Sequence, residues 1–172
     1  MADTNLINGK KVLIVDDEPD ILESLRELLE MCEVVAASTY DEASQLLIKD
    51  SFDIAVLDIM GVNGYSLLDI AHRRGIPAVM LTAHAFTADN LVRSIKEGAY
   101  AYIPKEELVN ITKHLNDALT AKKEGRSPWE NWEERLPKSY FERKWGAAWK
   151  DKNKNFWNTQ FEAIVKGRGS KN

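Results

Sequence analysis

Five side chains stand directly behind short apolar runs, and their types suit one chemistry. Asp16 and Asp17 follow the run KVLIV, Asp58 follows IAVL, Thr82 follows VML and Lys105 follows AYIP. Three carboxylates gathered at one place would repel one another and raise their own pKa values unless a cation lay among them. Hard oxygen donors in that number suit Mg²⁺, which keeps several waters and bridges readily to a phosphate. A hydroxyl and an ammonium beside such a cluster are what an anionic phosphoryl group needs. Lys105 can pair with a phosphate oxygen while Thr82 donates a hydrogen bond. Each residue alone has a plainer reading, in which Asp or Thr caps the following helix and Lys is a solvated surface charge. Four strand ends that fit a single site argue for the site.

That argument requires elements that bring the five together. The apolar runs at Lys11–Val15, Val34–Ala37, Ile54–Leu57, Ala78–Leu81 and Ala101–Ile103 are short, aliphatic and mostly without alternation. This is the pattern of strands covered on both faces, as in a parallel sheet. Helical spacing separates them. Ile21, Leu25, Leu28 and Leu29 recur at steps of three and four behind Pro19, a residue suited to a first helical turn. Thr39 opens the next helix, residues 65–74 and 90–97 give two more, and Gly98 stops the latter. Residues 108–122 carry Leu108, Ile111, Leu115, Ala118 and Leu119 on one stripe. Strand and helix alternating five times predict an α/β fold with right-handed crossovers and functional groups beyond the carboxyl ends of the strands.

Charge and aromatic content divide the chain. To Lys122 there are 20 acidic against 11 basic residues; beyond it there are 7 against 12, and all five tryptophans lie there. The stretch KKEGRSP marks the boundary. No apolar run approaches the roughly 20 residues of a membrane span, and the opening residues lack a secretory apolar stretch, so a cytoplasmic protein is expected. The single cysteine, Cys32, cannot close an internal disulfide.

Four segments in order, VLIVDDEPDILESL at 12–25, AVLDIM at 55–60, VMLTA at 79–83 and GAYAYIPK at 98–105, resemble the receiver domain of two-component response regulators. The resemblance covers residues 10–122, leaving residues 1–9 as an expected disordered start and 123–172 as a basic, Trp-rich helical tail. It implies a flavodoxin-like doubly wound sheet of five parallel strands in the order 2-1-3-4-5. It also implies roles: Asp58 as phosphoacceptor, Asp16 and Asp17 with the Met60 carbonyl as Mg²⁺ ligands, Lys105 binding the phosphoryl group, and Thr82 with Tyr102 as a conformational switch. The implied chemistry is in-line attack by Asp58 on a phosphohistidine, with slow autodephosphorylation and no separate enzymatic substrate. The implied partners are a sensor histidine kinase or phosphotransfer protein, and a downstream protein that responds.

The sequence departs from the family pattern after the acceptor. Receivers carry a Met-Pro pair and a longer loop; here Asp58 reaches Gly64 in six residues without the proline. Met60 and His84, each two residues beyond a site residue, are expected to tune water access to the phosphorylated aspartate. A haloacid-dehalogenase-type hydrolase, the rival with an aspartyl nucleophile, needs a second Asp where Met60 stands. A pseudo-receiver acting only as a scaffold is disfavoured by the intact acidic, Thr and Lys set.

In the tail, helical pieces are expected at 128–136, 140–149 and 156–166, with Pro137 breaking the first from the second and KDKNKN as a polar connection. Phe141, Trp145 and Trp149 would share one face, and Trp157, Phe161, Ile164 and Val165 another. These faces could pack onto the body or on each other. They could instead form a homodimer or partner surface, alone or with the face of the fourth helix, fifth strand and fifth helix. Nucleic-acid contact through the basic charge is disfavoured, and about 40 residues are too few for a typical DNA-binding output domain.

Overall fold

The computed structural model describes residues 5–83, 86–130, 132–134, 136 and 138–170, the last four without their side chains. Strands β1 (Lys11–Val15), β2 (Glu33–Ala37), β3 (Ile54–Leu57), β4 (Ala78–Thr82) and β5 (Ala101–Pro104) alternate with helices α1 (Pro19–Leu28), α2 (Tyr40–Lys49), α3 (Gly64–Arg73), α4 (Ala88–Lys96) and α5 (Ile111–Glu124). All pairings are parallel and the order is β2-β1-β3-β4-β5, as the resemblance implies.

The uniformly apolar strands follow from burial on both faces. Val12, Ile14, Ile54, Val56, Val79, Leu81 and Ile103 share a core with Leu25 and Leu29 of the α1 region and Ile111 and Leu115 of α5. Their neighbours Leu13, Val15, Ala55, Leu57, Met80 and Tyr102 face the other way, among residues of α2, α3 and α4. Successive strand residues therefore alternate between two cores rather than between core and water, which is why no period of two shows in the sequence.

Residues 5–9 correct the expectation of a disordered start. They form a turn in which Ile7 is buried and the Leu6 amide donates to Asn116 Oδ1 at 2.6 Å. Residues 1–4 lie outside the described set. The fifth helix begins at Ile111 rather than Leu108, because Lys105–Asn110 first makes a 3₁₀ turn. It ends where Gly125 takes the left-handed conformation (φ 71°) that a helix C-cap favours.

The tail does not build a core of its own. Trp129, Trp132, Leu136, Phe141, Trp149 and Phe156 belong to the same cluster as the sheet and helices α2 to α4. The Trp129 indole donates to the Ala99 carbonyl at 2.8 Å, just ahead of β5. Further out, Lys152 reaches Asp89 of α4 at 2.8 Å. Packing on the body and on each other is thus what the aromatic faces do.

The helical pieces of the tail are shorter than expected. Residues 128–136 contain one 3₁₀ turn, Trp132–Glu134, among their described residues, and Pro137 lies outside that set. Helix α6 spans Lys138–Trp145 and stops at Gly146, whose φ of 91° breaks the run expected to reach Trp149. Trp145 and Trp149 still meet edge to face, with centroids 5.2 Å apart, across the turn. A π-helical turn at Phe156–Gln160 leads into α7 (Phe161–Ser170).

Phe141 is the hub of this packing, 1% exposed and in ring contact with Trp132, Trp145 and Trp149. Truncating a buried Phe to Ala removes both transfer energy and packing partners. Phe141→Ala is expected to lower the unfolding free energy by about 3–5 kcal/mol, read from urea denaturation of the full chain.

Candidate functional site

Sheet register places the site. Val15 pairs with Leu57, so Asp16 and Asp58 emerge side by side, and the Asp58 amide donates to the Val15 carbonyl at 3.0 Å. Thr82 pairs with Pro104, so Lys105 leaves its strand beside the Thr82 position. Four strand ends are thereby brought to one edge without any unusual backbone in the strands themselves.

Among the described residues, Asp16, Asp17 and Asp58 form the one acidic group able to hold a metal ion, each offering an oxygen within 4.8 Å of the others. Asp16 and Asp58 are buried and Asp17 is exposed. The Lys105 ammonium sits 2.9 Å from Asp16 Oδ2, 3.5 Å from Asp58 Oδ1 and 3.2 Å from Glu18 Oε1. Asp16 Oδ2 meets that charge without a well-directed hydrogen bond, while Asp16 Oδ1 accepts from the Glu18 amide at 2.9 Å. That bond closes a local turn rather than capping α1, whose N-cap is Glu18 itself and which has no side-chain cap. Glu18 was not singled out from sequence; its signal was its place in the acidic run after β1.

Burial first, and then the charges of Asp16 and Asp17, push the Asp58 carboxyl up to about 6, with Lys105 opposing them. Asp16 is also raised, mainly by burial. Burial alone would lower Lys105, but the close ion pair with Asp16, with Asp58 and Glu18, holds it above its ordinary value. One ammonium cannot balance three carboxylates. The donor set is all oxygen, partly buried and over-charged, so a hard divalent cation such as Mg²⁺ fits it.

The loop after Asp58 is shaped by glycine at two points. Gly61 has φ 85°, and a Cβ there would collide with the Asp17 carboxylate; a Cβ at Gly64 would collide with the Asp58 carbonyl. Asn63, also left-handed at φ 55°, then leads directly into α3. The short loop thus closes tightly over the acidic cluster. Met60 lies on it with an exposed side chain. His84 falls outside the described residues.

Thr82 is fully buried at the end of β4, and Thr87, not Thr82, caps α4 by accepting from the Asn90 amide at 3.1 Å. Tyr102 is buried too, but its hydroxyl serves the start of α4. It accepts from the Thr87 amide at 2.8 Å and donates to the Thr87 carbonyl at 3.1 Å. The five residues read as a site therefore share one edge, while Tyr102 joins that edge to α4.

A doubly wound parallel sheet with clustered carboxylates and a lysine at its carboxyl edge defines the class, and comparison with known proteins agrees. Residues 12–116 match the response regulator receiver domain family, and the chain belongs to it. The two-component response regulator ARR18 of Arabidopsis thaliana is 34% identical over 117 residues, covering 62% of this chain and 18% of that protein. ORR21 of rice is 33% identical over 119 residues, covering 62% and 17%. The chain therefore matches less than a quarter of the length of these relatives. A CheY-like receiver domain from Methanospirillum hungatei superimposes with a TM-score of 0.58 at 35% identity, covering 68% of this chain and 99% of that one. A receiver domain from Clostridium thermocellum gives 0.60 at 29% identity, covering 66% and 97%. Among the described residues no helix is long and apolar enough to cross a membrane.

The raised Asp58 carboxyl has a consequence for stability. Its folded-state pKa exceeds the ordinary 3.8, so the stability it contributes is full at low pH and lost as pH rises through about 6. In divalent-free buffer at pH 7, Asp58→Asn is expected to stabilise the fold by about 1–2 kcal/mol. Denaturant midpoints of the two proteins should draw closer at pH 5, where the folded protein already holds Asp58 protonated.

Proposed function

We propose that the chain takes a phosphoryl group from a phosphohistidine onto Asp58 and serves phosphorelay signalling through that modification. The observation that carries the reading is the Lys105 ammonium lying between the buried Asp16 and Asp58 carboxylates, 2.9 and 3.5 Å away. Lysine there is held charged, so it can both orient the nucleophile and meet an incoming phosphoryl oxygen.

In the step proposed, an Asp58 oxygen attacks phosphorus, the phosphorus–nitrogen bond of the donor breaks, and its electron pair stays with the imidazole. The product is an aspartyl phosphate whose added negative charge is met by Lys105 and by the Thr82 hydroxyl. Asp16, Asp17 and Asp58, with the Met60 carbonyl, would hold Mg²⁺, which when bound neutralises charge on the transferring oxygens. Asp58 must be ionised to attack, so without a divalent ion the rate is expected to fall as pH drops below about 6.

The donor in this reading is a sensor histidine kinase or a phosphotransfer protein, and slow self-hydrolysis resets the acceptor. The chain is a receiver rather than an enzyme with a substrate of its own. Charge added at Asp58 would draw the Thr82 hydroxyl toward it and favour the inward Tyr102, a local electrostatic event that biases the α4–β5 surface. The acidic, Thr and Lys set, which a scaffold-only role would not need, supports this reading over that one.

Incubation with acetyl phosphate and Mg²⁺, followed by intact mass, tests the acceptor. One phosphoryl group is expected on the natural chain, none on Asp58→Asn, and at least tenfold slower labelling for Lys105→Ala, the loss of one charge-stabilising contact. Labelling that survives in Asp58→Asn would sink the assignment.

A further inference from the structure

Phe86 and Thr87, the cap of α4, lie just ahead of that helix. They are held from two sides. On the sheet side, the Tyr102 hydroxyl bonds both the amide and the carbonyl of Thr87, and the Tyr102 ring stacks on Phe86 at 5.1 Å with planes 9° apart. On the tail side, the Trp145 indole donates to the Phe86 carbonyl at 3.1 Å, and its ring lies 4.8 Å from the Phe86 ring. Phe86 is thus clamped between a strand residue and the last residue of α6.

The tail has a second grip on the same edge. Lys144, next to Trp145, pairs at 2.7 Å with Glu106, the residue that follows Lys105. Between these contacts lies a cavity of about 350 Å³ lined by Thr82 and Lys105 from the acceptor site and by Lys144 and Trp145 from the tail. One wall of the space beside the acceptor is therefore tail.

We propose that Trp145 is a positioning residue for phosphotransfer: docked α6 holds Phe86 against the Tyr102 ring, and so favours the inward Tyr102 that goes with the Thr82 hydroxyl meeting an aspartyl phosphate at position 58. The proposal rests on Asp58 as the acceptor. It differs from a merely structural role in its reciprocity. Whatever free energy tail docking gives to phosphorylation, phosphorylation gives back to docking. The sign follows from Tyr102. The clamp holds its ring inward against Phe86, the arrangement made favourable when Thr82 is drawn toward the phosphoryl group. Docking and phosphorylation therefore support each other.

The test uses the full chain, with Trp145→Ala and Trp145→Phe, the second keeping a ring against Phe86 but losing the indole donor. With acetyl phosphate and Mg²⁺, the maximal labelling rate of Trp145→Ala is expected to fall about tenfold, within the range of ordinary coupling. Trp145→Phe should fall between it and the natural chain, and half-saturating donor concentration should stay unchanged in both. Hydrogen exchange of α6 in the natural chain, which needs no variant, should slow severalfold on phosphorylation. Equal exchange in α6 before and after labelling would overturn the proposal, as would natural-rate labelling of Trp145→Ala with α6 released. A natural chain that takes no phosphoryl group would take the acceptor reading down with it; one that labels normally with α6 indifferent defeats the tail inference alone.

Discussion

Two carboxylates buried at neighbouring strand ends, with one ammonium between them, set the terms for the rest of the molecule. Asp16 and Asp58 are almost out of water, and ionised carboxylates there are expensive unless paired. Lys105 relieves part of that expense, but its single charge faces Asp16, Asp58 and Glu18 at once. The residual imbalance appears as the raised Asp58 carboxyl. A fold selected for stability alone would not place three acidic side chains here. The imbalance suits a cluster that could hold a cation, and the surrounding elements keep it in place.

Parallel register is the means. Each strand is followed by a turn at the same edge, so a residue one position past a strand end is brought to the site by backbone pairing alone. Val15 opposite Leu57, Leu57 opposite Met80 and Thr82 opposite Pro104 assemble groups that are 89 positions apart along the chain (Asp16 and Lys105). This is why the body was legible from sequence. The apolar runs marked the strands to within a residue or two, and the side chains at their ends came together at one edge. Glu18 escaped because an acidic residue after two others carries no separate pattern. The turn at Lys105–Asn110 escaped because Leu108 continues the apolar stripe of α5 into a segment whose backbone is not yet α-helical.

The tail was legible in composition but not in geometry, for a physical reason. Its aromatic side chains pack through ring contacts in several directions, so they need no sustained helical stripe. Trp129 and Trp132 pack edge to face with centroids 5.9 Å apart from a segment whose described residues include one short 3₁₀ turn, and Gly146 ends α6 although apolar spacing runs past it. Periodicity reports one partner surface at a time, and here a single Phe141 faces three tryptophans. The basic charge proved local as well: Lys144 and Lys152 pair with Glu106 and Asp89 of the acidic body. The opposite net charges of the two parts of the chain are thus partly complementary across their contact.

Exposed ion pairs of that kind contribute little to affinity, about 0–1 kcal/mol each. They fix register rather than hold the tail down, while the buried aromatic contacts supply the attraction. That division makes the docked tail specific without making every part of it immovable. The Trp145 end of α6 is half-exposed and sits over a cavity, whereas Phe141, a turn earlier, is buried among rings. A segment anchored at one point and adjustable at the next is suited to follow a small displacement in the connection it touches. The acidic edge, through Tyr102, and the tail, through Trp145, would then act on the same residue, Phe86, and the energy of one contact becomes a term in the equilibrium of the other.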